Sequence, residues 1–130
     1  MKVLNVVSTL DRKTGGGFVE RTTQMCHALI KMGHSCSILT TEFNLTETRK
    51  KELSPVNLIV MPFISKRYII PRLSFKKVAE AKKAIQDADL IHLIGLWPPI
   101  NCFVFFYALR FRIPYVVCPA GTLKIYGRSR

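Results

Sequence analysis

Residues 2–41 read KVLNVVSTLDRKTGGGFVERTTQMCHALIKMGHSCSILTT. The first part, Lys2 to Thr9, is a near-continuous apolar run, which predicts a strand buried on both faces. A polar loop follows and ends in three consecutive glycines. The spacing of apolar residues then predicts a helix from Phe18 to Met32, and Gly33 closes it as a cap. Since Ser35 to Thr41 is again apolar at its centre, the stretch predicts a strand–loop–helix–strand unit.

The rest of the chain continues this alternation. We expect three further strands and two further helices, over Val56–Met61, Ser74–Ala88, Leu90–Ile94, Pro98 to about Arg112, and Tyr115–Cys118. In the first of these helices, an apolar face is predicted to run from Phe75 through Ala81 and Ile85. A charged segment before the third strand and a basic connection after it have no predicted regular structure. The pattern predicts an α/β fold, a Rossmann-like doubly wound parallel sheet of about five strands covered on both faces.

Length and composition exclude several classes of protein. The chain has 130 residues, 48% hydrophobic and 10% aromatic, which matches a domain of common size and excludes intrinsic disorder. Four cysteines, with no C-x-x-C pair among them, are too few for a disulfide-stapled scaffold. Because each falls on an apolar element, we expect four buried thiols: Cys26, Cys36, Cys102 and Cys118.

The formal net charge is +12, and most of the excess lies in the middle of the chain. Residues 46–83 hold ten basic and three acidic residues. Large apolar side chains lie between the basic ones, a combination that docks on anionic bilayers. The expected membrane or anion patch comprises Lys66, Arg67, Arg72, Lys76 and Lys77. A solvated helix face beside ordinary core residues is the alternative interpretation, and no nucleic-acid motif accompanies the charge.

Neither long apolar stretch fits a targeting or membrane-spanning segment. The N-terminal run is interrupted by polar residues and lacks a small-residue cleavage site, unlike a signal peptide. The stretch from Leu90 to Leu109 contains His92, a central Pro98-Pro99 pair and Asn101, which favour a buried strand, a turn and a buried helix. Together with free cysteines, this predicts a cytoplasmic protein, peripheral on the inner face of the membrane where the basic patch binds lipid.

Three loops are candidate site elements, because ligands of open parallel sheets bind at the carboxyl ends of the strands. The first ends in Gly15, Gly16 and Gly17, which let backbone approach a phosphate or a sugar ahead of a helix N-terminus. The second, Gly95-Leu96-Trp97, holds the single tryptophan, which either stacks on a sugar ring or fills the core. The third, Pro119-Ala120-Gly121, is small and open and is expected to form a cleft wall.

Familiar catalytic and metal motifs are absent from the sequence. The glycine spacing is neither G-x-G-x-x-G nor that of a P-loop, and no nucleophile elbow or zinc-ligand spacing occurs. The three histidines, His27, His34 and His92, fall where packed or capping residues are expected. The sequence therefore predicts no metal site and leaves the catalytic residues unassigned.

Several short motifs follow one another in a recognisable order. They are Gly15-Gly16-Gly17 with Phe18-Val19-Glu20-Arg21, Gly33-His34, Ala88-Asp89-Leu90-Ile91-His92, Gly95-Leu96-Trp97, and Ile113-Pro114-Tyr115-Val116-Val117 with Pro119, Gly121 and Leu123. Over nearly the whole chain, their order and spacing resemble the N-terminal domain of family-four glycosyltransferases of the GT-B type. Many members carry a histidine at the position of Ile94, and a histidine or an arginine at the position of Ala120. Because this chain lacks both, the resemblance assigns no catalytic role to a residue here.

The resemblance implies part of a retaining glycosyltransferase, which moves a sugar from a nucleotide sugar to a lipid-linked or polysaccharide acceptor of a bacterial envelope. Residues 1–130 would be a partial acceptor-side domain, inactive alone, with no counterpart of the donor-binding C-terminal domain. The glycine loop would approach the donor diphosphate and the acceptor. No cofactor is implied beyond the donor substrate. The expected cleft-lining residues are Glu20, Arg21, Gly95, Trp97, Pro119, Ala120 and Gly121.

Two other functions stay open on the residues alone. The basic cluster favours a non-enzymatic Rossmann-like module that binds an anionic membrane surface or a lipid phosphate. A different doubly wound nucleotide-binding protein, such as an oxidoreductase or an epimerase, would bind a free dinucleotide or sugar nucleotide. The missing dinucleotide fingerprint argues against the oxidoreductase.

Overall fold

The computed structural model describes residues 1–65, 69–95 and 98–119. Strands and helices alternate along them as the sequence predicts. The strands are β1 (Lys2–Val6), β2 (Ser35–Thr41), β3 (Asn57–Met61), β4 (Phe63–Ser65), β5 (Ile70–Pro71), β6 (Leu90–Ile94) and β7 (Tyr115–Cys118). The helices are α1 (Arg12–Gly15), α2 (Gly17–Lys31), α3 (Glu47–Leu53), α4 (Phe75–Asp87) and α5 (Pro99–Phe111).

Five strands form one sheet in the order β3-β2-β1-β6-β7, and every neighbouring pair is parallel. This is the order of a Rossmann-like sheet, in which the chain starts at the centre, builds one half outward and then crosses back to build the other. The predicted fold class is therefore confirmed. The reversal lies between β1 and β6, so their carboxyl ends flank the crevice where such sheets bind ligands.

Alternation along the strands divides the core into two layers. In β1, Leu4 and Val6 pack with α4 and α5, whereas Val7, just after the strand, packs in the cluster that contains Val19 of α2. Successive side chains point to opposite faces of a strand, so residue 5 shares the α2 side with residue 7. In β6, Ile91 and Leu93 lie on the α4/α5 side. The helices therefore cover both faces of the sheet.

Besides α1, which lies in the predicted glycine loop, two short elements occupy segments for which the sequence predicts no regular structure. Helix α3 begins after Thr46, whose side chain accepts a hydrogen bond from the Arg49 amide, 3.1 Å away. A two-stranded antiparallel hairpin, β4 with β5, follows the end of β3 and pairs Phe63 with Pro71. Both elements are too short for hydrophobic periodicity to reveal them, although the N-cap threonine is a local signal for α3.

Three expectations about burial are wrong. Phe75, predicted to face the core, is 95% exposed, because α4 begins there and only Ala81 and Ile85 are fully buried along it. Cys102 is exposed on α5 and Cys118 is half-buried. Strand β7 lies at the sheet edge, where Val116 is 48% exposed.

Candidate functional site

The candidate site lies at the carboxyl edge of β1, β6 and β7. Its floor is a polar stripe on the α2 side of the sheet, where Asn5 and His92 are paired neighbours in register. Asn5 is fully buried, and its Nδ2 donates to the carbonyl of Ser37 at 3.5 Å and to the Sγ atoms of Cys36 at 3.1 Å and Cys26 at 3.3 Å. This orientation leaves Oδ1 to accept from His92 Nδ1, 3.1 Å away.

The environment of His92 favours a neutral imidazole. Burial, and then the nearby positive charge of Arg21, lower the pKa of His92 below its ordinary value. Since Nδ1 carries the proton that bonds Asn5, the Nε2 atom is left as an acceptor. His92 is half-buried, and its ring is held by the buried Asn5 side chain.

Two buried thiols complete the stripe. Cys26 of α2 and Cys36 of β2 share the Asn5 amide as a donor. The pKa of Cys26 is raised by its hydrogen bond with Cys36 and by burial, so the Cys26 thiol stays protonated at neutral pH. For these two cysteines the prediction of buried thiols is confirmed.

The Arg21 side chain extends from α2 across the carboxyl edge of the sheet to β7. Its Nη2 donates to Cys118 Sγ at 3.2 Å, which joins the second turn of α2 to the end of β7. The sheet order places β6 between β1 and β7, so this side chain crosses the carboxyl end of β6. Arg21 is exposed, and a guanidinium has five N–H donors, of which the bond to Cys118 uses one. Of the predicted cleft residues, Arg21 and Gly95 are thus brought to the same edge, next to Pro119.

The glycine loop is more ordered than predicted. Arg12–Gly15 form one turn of helix, and the Gly16 amide donates to the Arg12 carbonyl at 2.9 Å. Gly16 then adopts φ 58° and ψ −137°, a conformation that essentially only glycine occupies. Helix α2 begins at Gly17, where an added Cβ would have open space around it.

The N-cap residue of α2 makes no side-chain hydrogen bond to the first amides of the helix. In a capped helix, a serine, threonine or aspartate oxygen accepts from one of the first amides. Here the N-cap is Gly16, which has no side chain to accept from the first amides of the 15-residue helix. Unpaired amides and the positive end of the helix dipole together favour an anion.

Glu20, which precedes Arg21 in α2, belongs to an ion-pair network on the α3 side of the helix. Its carboxylate is 3.4 Å from Arg12 Nε, and Arg12 Nη2 is 3.1 Å from Glu52 of α3. The same Glu52 oxygen lies 3.1 Å from Arg49. Glu20 therefore fixes α1 against α2, and its carboxylate is engaged with this network, whereas Arg21 reaches across the crevice.

Arg49 anchors the whole β1–α2 connection, a role that the local sequence does not predict. It is only 7% exposed, and its Nε donates to the Leu10 carbonyl at 3.1 Å while its Nη2 donates to Thr23 at 2.9 Å. Arg49 is one of the ten basic residues counted in residues 46–83, but its burial removes it from the surface charge. The i,i+3 spacing to Glu52 behind an N-cap threonine predicts a helical ion pair, but neither the burial of Arg49 nor its bonds to Leu10 and Thr23.

Gly95 and Asn101 shape the other wall. Gly95 has φ +88°, and a Cβ there would lie 3.3 Å from the Pro98 ring. Asn101 is 3% exposed, and its Nδ2 donates to the carbonyls of Ile94 at 2.9 Å and Gly95 at 2.8 Å. Its Oδ1 has no hydrogen-bond partner among the described residues. These residues tie the end of β6 to α5 and line a mainly apolar cleft of about 240 Å³ with Leu93, Cys102, Phe105 and Val117.

The other predicted site residues either lie outside the described residues or belong to other elements. Trp97, Ala120 and Gly121 of the expected cleft, and Lys66 and Arg67 of the basic patch, lie outside the described residues. Arg72 follows β5, and Lys76 and Lys77 belong to the first turn of α4, on the other face of the sheet from α2.

Within the described ranges, no set of three or more His, Cys, Asp or Glu side chains is arranged to hold a metal ion. In that part of the chain, no helix combines the length and apolarity needed to cross a bilayer. Comparison of the chain with protein-family models, curated proteins and solved structures found no match.

Proposed function

We propose that the chain supplies the acceptor side of a retaining glycosyltransferase of the family-four, GT-B type. The enzyme would transfer a sugar from a nucleotide sugar to a lipid-linked or glycan acceptor. Two observations at the carboxyl edge of the sheet carry the proposal: helix α2 begins there behind a glycine N-cap, and the Arg21 guanidinium reaches from α2 to Cys118 at the end of β7. The motif order described above supports the same assignment.

Each part of this site has a role that its chemistry supports. The Gly17 end of α2 offers amides and a helix dipole to the departing diphosphate. Arg21 adds a cation at the same edge, and its planar fork suits phosphate oxygens. His92, neutral and held by Asn5, offers Nε2 as a hydrogen-bond acceptor for an acceptor hydroxyl. The contribution of this side is therefore positional and electrostatic.

A titration of the isotopically labelled 130-residue chain with uridine diphosphate tests the proposal. We expect amide chemical shifts to move at Gly17 and Phe18 as the nucleotide is added, since those amides are the proposed ligands. Arg21→Gln should weaken the binding about tenfold by removing a charge-assisted contact. Lys31→Gln is the matched control, because it removes one cation from the opposite end of the same helix.

Two results would count against the proposal. Binding of uridine diphosphate that leaves the α2 N-terminus unperturbed would place the diphosphate elsewhere. Tighter binding of a nicotinamide dinucleotide than of uridine diphosphate would favour the oxidoreductase alternative instead.

A further inference from the structure

An exposed surface with large apolar side chains lies at the start of α4, apart from the candidate site. Phe75 is 95% exposed, Leu73 is 59% exposed, and Ile64 on the adjoining hairpin is 65% exposed. Most large apolar side chains of a folded domain are covered, and a cluster of exposed ones marks an interaction site. We call Leu73, Phe75 and their neighbours on α4 the Phe75 surface.

Leu73 and Phe75 border a common shallow cleft. Val78, Ala79 and Lys82 line the remainder of it, and its volume is about 270 Å³. Leu73 lies just before the helix and Phe75 is its first residue, so both belong to the N-terminal end of α4. The exposed side chains of Leu73 and Phe75 can therefore insert into an apolar environment while the fold stays unchanged.

Cations lie next to Phe75 in the sequence and further along α4. Arg72, Lys76 and Lys83 are exposed. Between residues 53 and 86 the sequence contains one acidic residue, Glu80, and its carboxylate is 3.3 Å from Lys77. Lys82 lies with Nζ 5.5 Å from the centre of the Tyr107 ring, on the flank of α5. The charge presented beside Phe75 is therefore strongly positive.

The position of the surface relates it to the candidate site. Strand β3 ends at the carboxyl edge of the sheet, the β4–β5 hairpin follows, and α4 then runs back to the start of β6. The N-terminal end of α4, with Phe75, hence lies on the same edge of the sheet as the N-terminal end of α2. A surface on which this edge rests would be close to the crevice between β1 and β6.

These features select an anionic bilayer as the occupant. A second copy of the chain would bring two strongly positive surfaces together, which Coulomb repulsion opposes. An anionic bilayer satisfies both components, since its phosphates pair with lysine and arginine while an aromatic ring enters the interfacial region. We propose that Leu73 and Phe75 insert into the headgroup boundary of an anionic bilayer, with Arg72, Lys76 and Lys83 on lipid phosphates.

Vesicle co-sedimentation of the 130-residue chain tests this docking surface. The probes are vesicles of phosphatidylcholine alone and vesicles in which about one third is phosphatidylglycerol. We expect binding to the mixed vesicles, little to the neutral ones, and a marked loss as salt rises to about 0.5 M. Phe75→Ser should weaken binding about tenfold. Lys76→Gln and Lys83→Gln should weaken it about fivefold each.

Matched variants separate this surface from general stickiness. Met32→Ser removes another exposed apolar side chain, 71% exposed at the far end of α2, and Lys31→Gln removes a cation beside it. Both should bind vesicles as the parent chain does. Because all five positions are at the surface, thermal unfolding by circular dichroism should show each variant folded.

Three outcomes would overturn the docking surface. Equal binding to neutral and mixed vesicles would show that charge does not drive the binding. Parent-like vesicle binding by Phe75→Ser would show that the exposed apolar side chains do not contribute to it. A concentration-dependent dimer, seen by analytical ultracentrifugation and lost in Phe75→Ser, would assign the surface to a second copy. Bilayer binding uses no residue of the α2 N-terminus, so this proposal and the proposed function fail in separate experiments.

Discussion

The Nδ1 atom of His92 donates a hydrogen bond to Oδ1 of Asn5, 3.1 Å away, and so joins the two strands that flank the switch point of the sheet. Asn5 is fully buried and also donates to β2 and contacts α2, so the imidazole is held by a side chain that is itself held on several sides. The orientation of His92 is therefore fixed before any ligand arrives.

The stability of the fold should depend on pH through His92. Burial and Arg21 lower its pKa in the folded state below the ordinary value of 6.5, so the unfolded chain binds the proton more tightly. The stability is fully present above about pH 6.5 and is lost as the pH falls through the lowered folded-state pKa. Urea denaturation at a series of pH values between about 5 and 8 measures this loss.

The matched variant is His92→Asn, whose Nδ2 can donate to Asn5 in place of Nδ1 but does not titrate. We expect its unfolding free energy to vary less with pH than that of the parent chain over the same range. If His92→Asn keeps the full dependence on pH, another group is responsible.

Removal of the Arg49 side chain should destabilise the fold. Arg49→Met leaves the Leu10 carbonyl and the Thr23 hydroxyl without their donor and Glu52 without its buried partner. We expect the unfolding free energy to fall by about 2–4 kcal/mol, as for other buried charged groups whose partners remain. Lys50 on the same helix pairs with the exposed Glu47, so Lys50→Met should change stability by less than about 0.5 kcal/mol. Equal effects of the two substitutions in urea denaturation would contradict this role for Arg49.

The fold could be predicted from the sequence because its main elements carry strong local signals. The apolar run at Lys2, the glycines before α2 and the proline pair before α5 each mark an element boundary, and the alternation of elements leads to a parallel sheet. The location of the candidate site follows from that topology. Its first loop, with Gly16 and Gly17, could be chosen for the same reason.

The remaining site residues depend on contacts between distant parts of the chain. Asn5 meets Cys36 and His92, and Arg49 meets Leu10, over sequence separations of 31, 87 and 39 residues. Local patterns carry no information on such pairs. Periodicity assigns Phe75 to the core, but at the first residue of a helix the side chain projects past the end of the packed face. The burial predicted for Cys102 is wrong because α5 carries apolar residues nearly all round. Its sequence therefore does not indicate which side of the helix is buried.

The end of α5 offers a test of backbone strain. Arg112 has φ 58°, and the Ile113 amide donates to the Ala108 carbonyl at 2.9 Å, the arrangement that usually places glycine at the left-handed position. Gly33 occupies the same place after α2, with φ 90° and the His34 amide on the Leu29 carbonyl at 3.0 Å. Arg112→Gly should therefore stabilise the fold by about 0.5–1 kcal/mol.

Arg110→Gly is the control for Arg112→Gly. It removes the same charge from the last turn of α5 but places glycine at a helical position, which should destabilise by about 1 kcal/mol. Thermal and urea unfolding of both variants measure the difference. The strain at Arg112 is refuted if the two substitutions change stability in the same direction.

Substitution of Gly16 and of Gly17 should have different effects: the first should change the stability of the fold, and the second should change the binding of uridine diphosphate. Gly16→Ala forces a Cβ onto φ 58°, ψ −137°, so we expect a loss of about 1–3 kcal/mol in unfolding free energy. Gly17→Ala adds a methyl group into open space at the first helical residue, so its stability should be unchanged or up to about 1 kcal/mol higher. The same methyl group would occupy the approach to the α2 amides, and uridine diphosphate should then bind more weakly to a fully folded Gly17→Ala chain. Parent-like binding by that variant would mean that the diphosphate does not approach α2 at Gly17, whereas a variant that is both stable and defective in binding places the ligand against this residue.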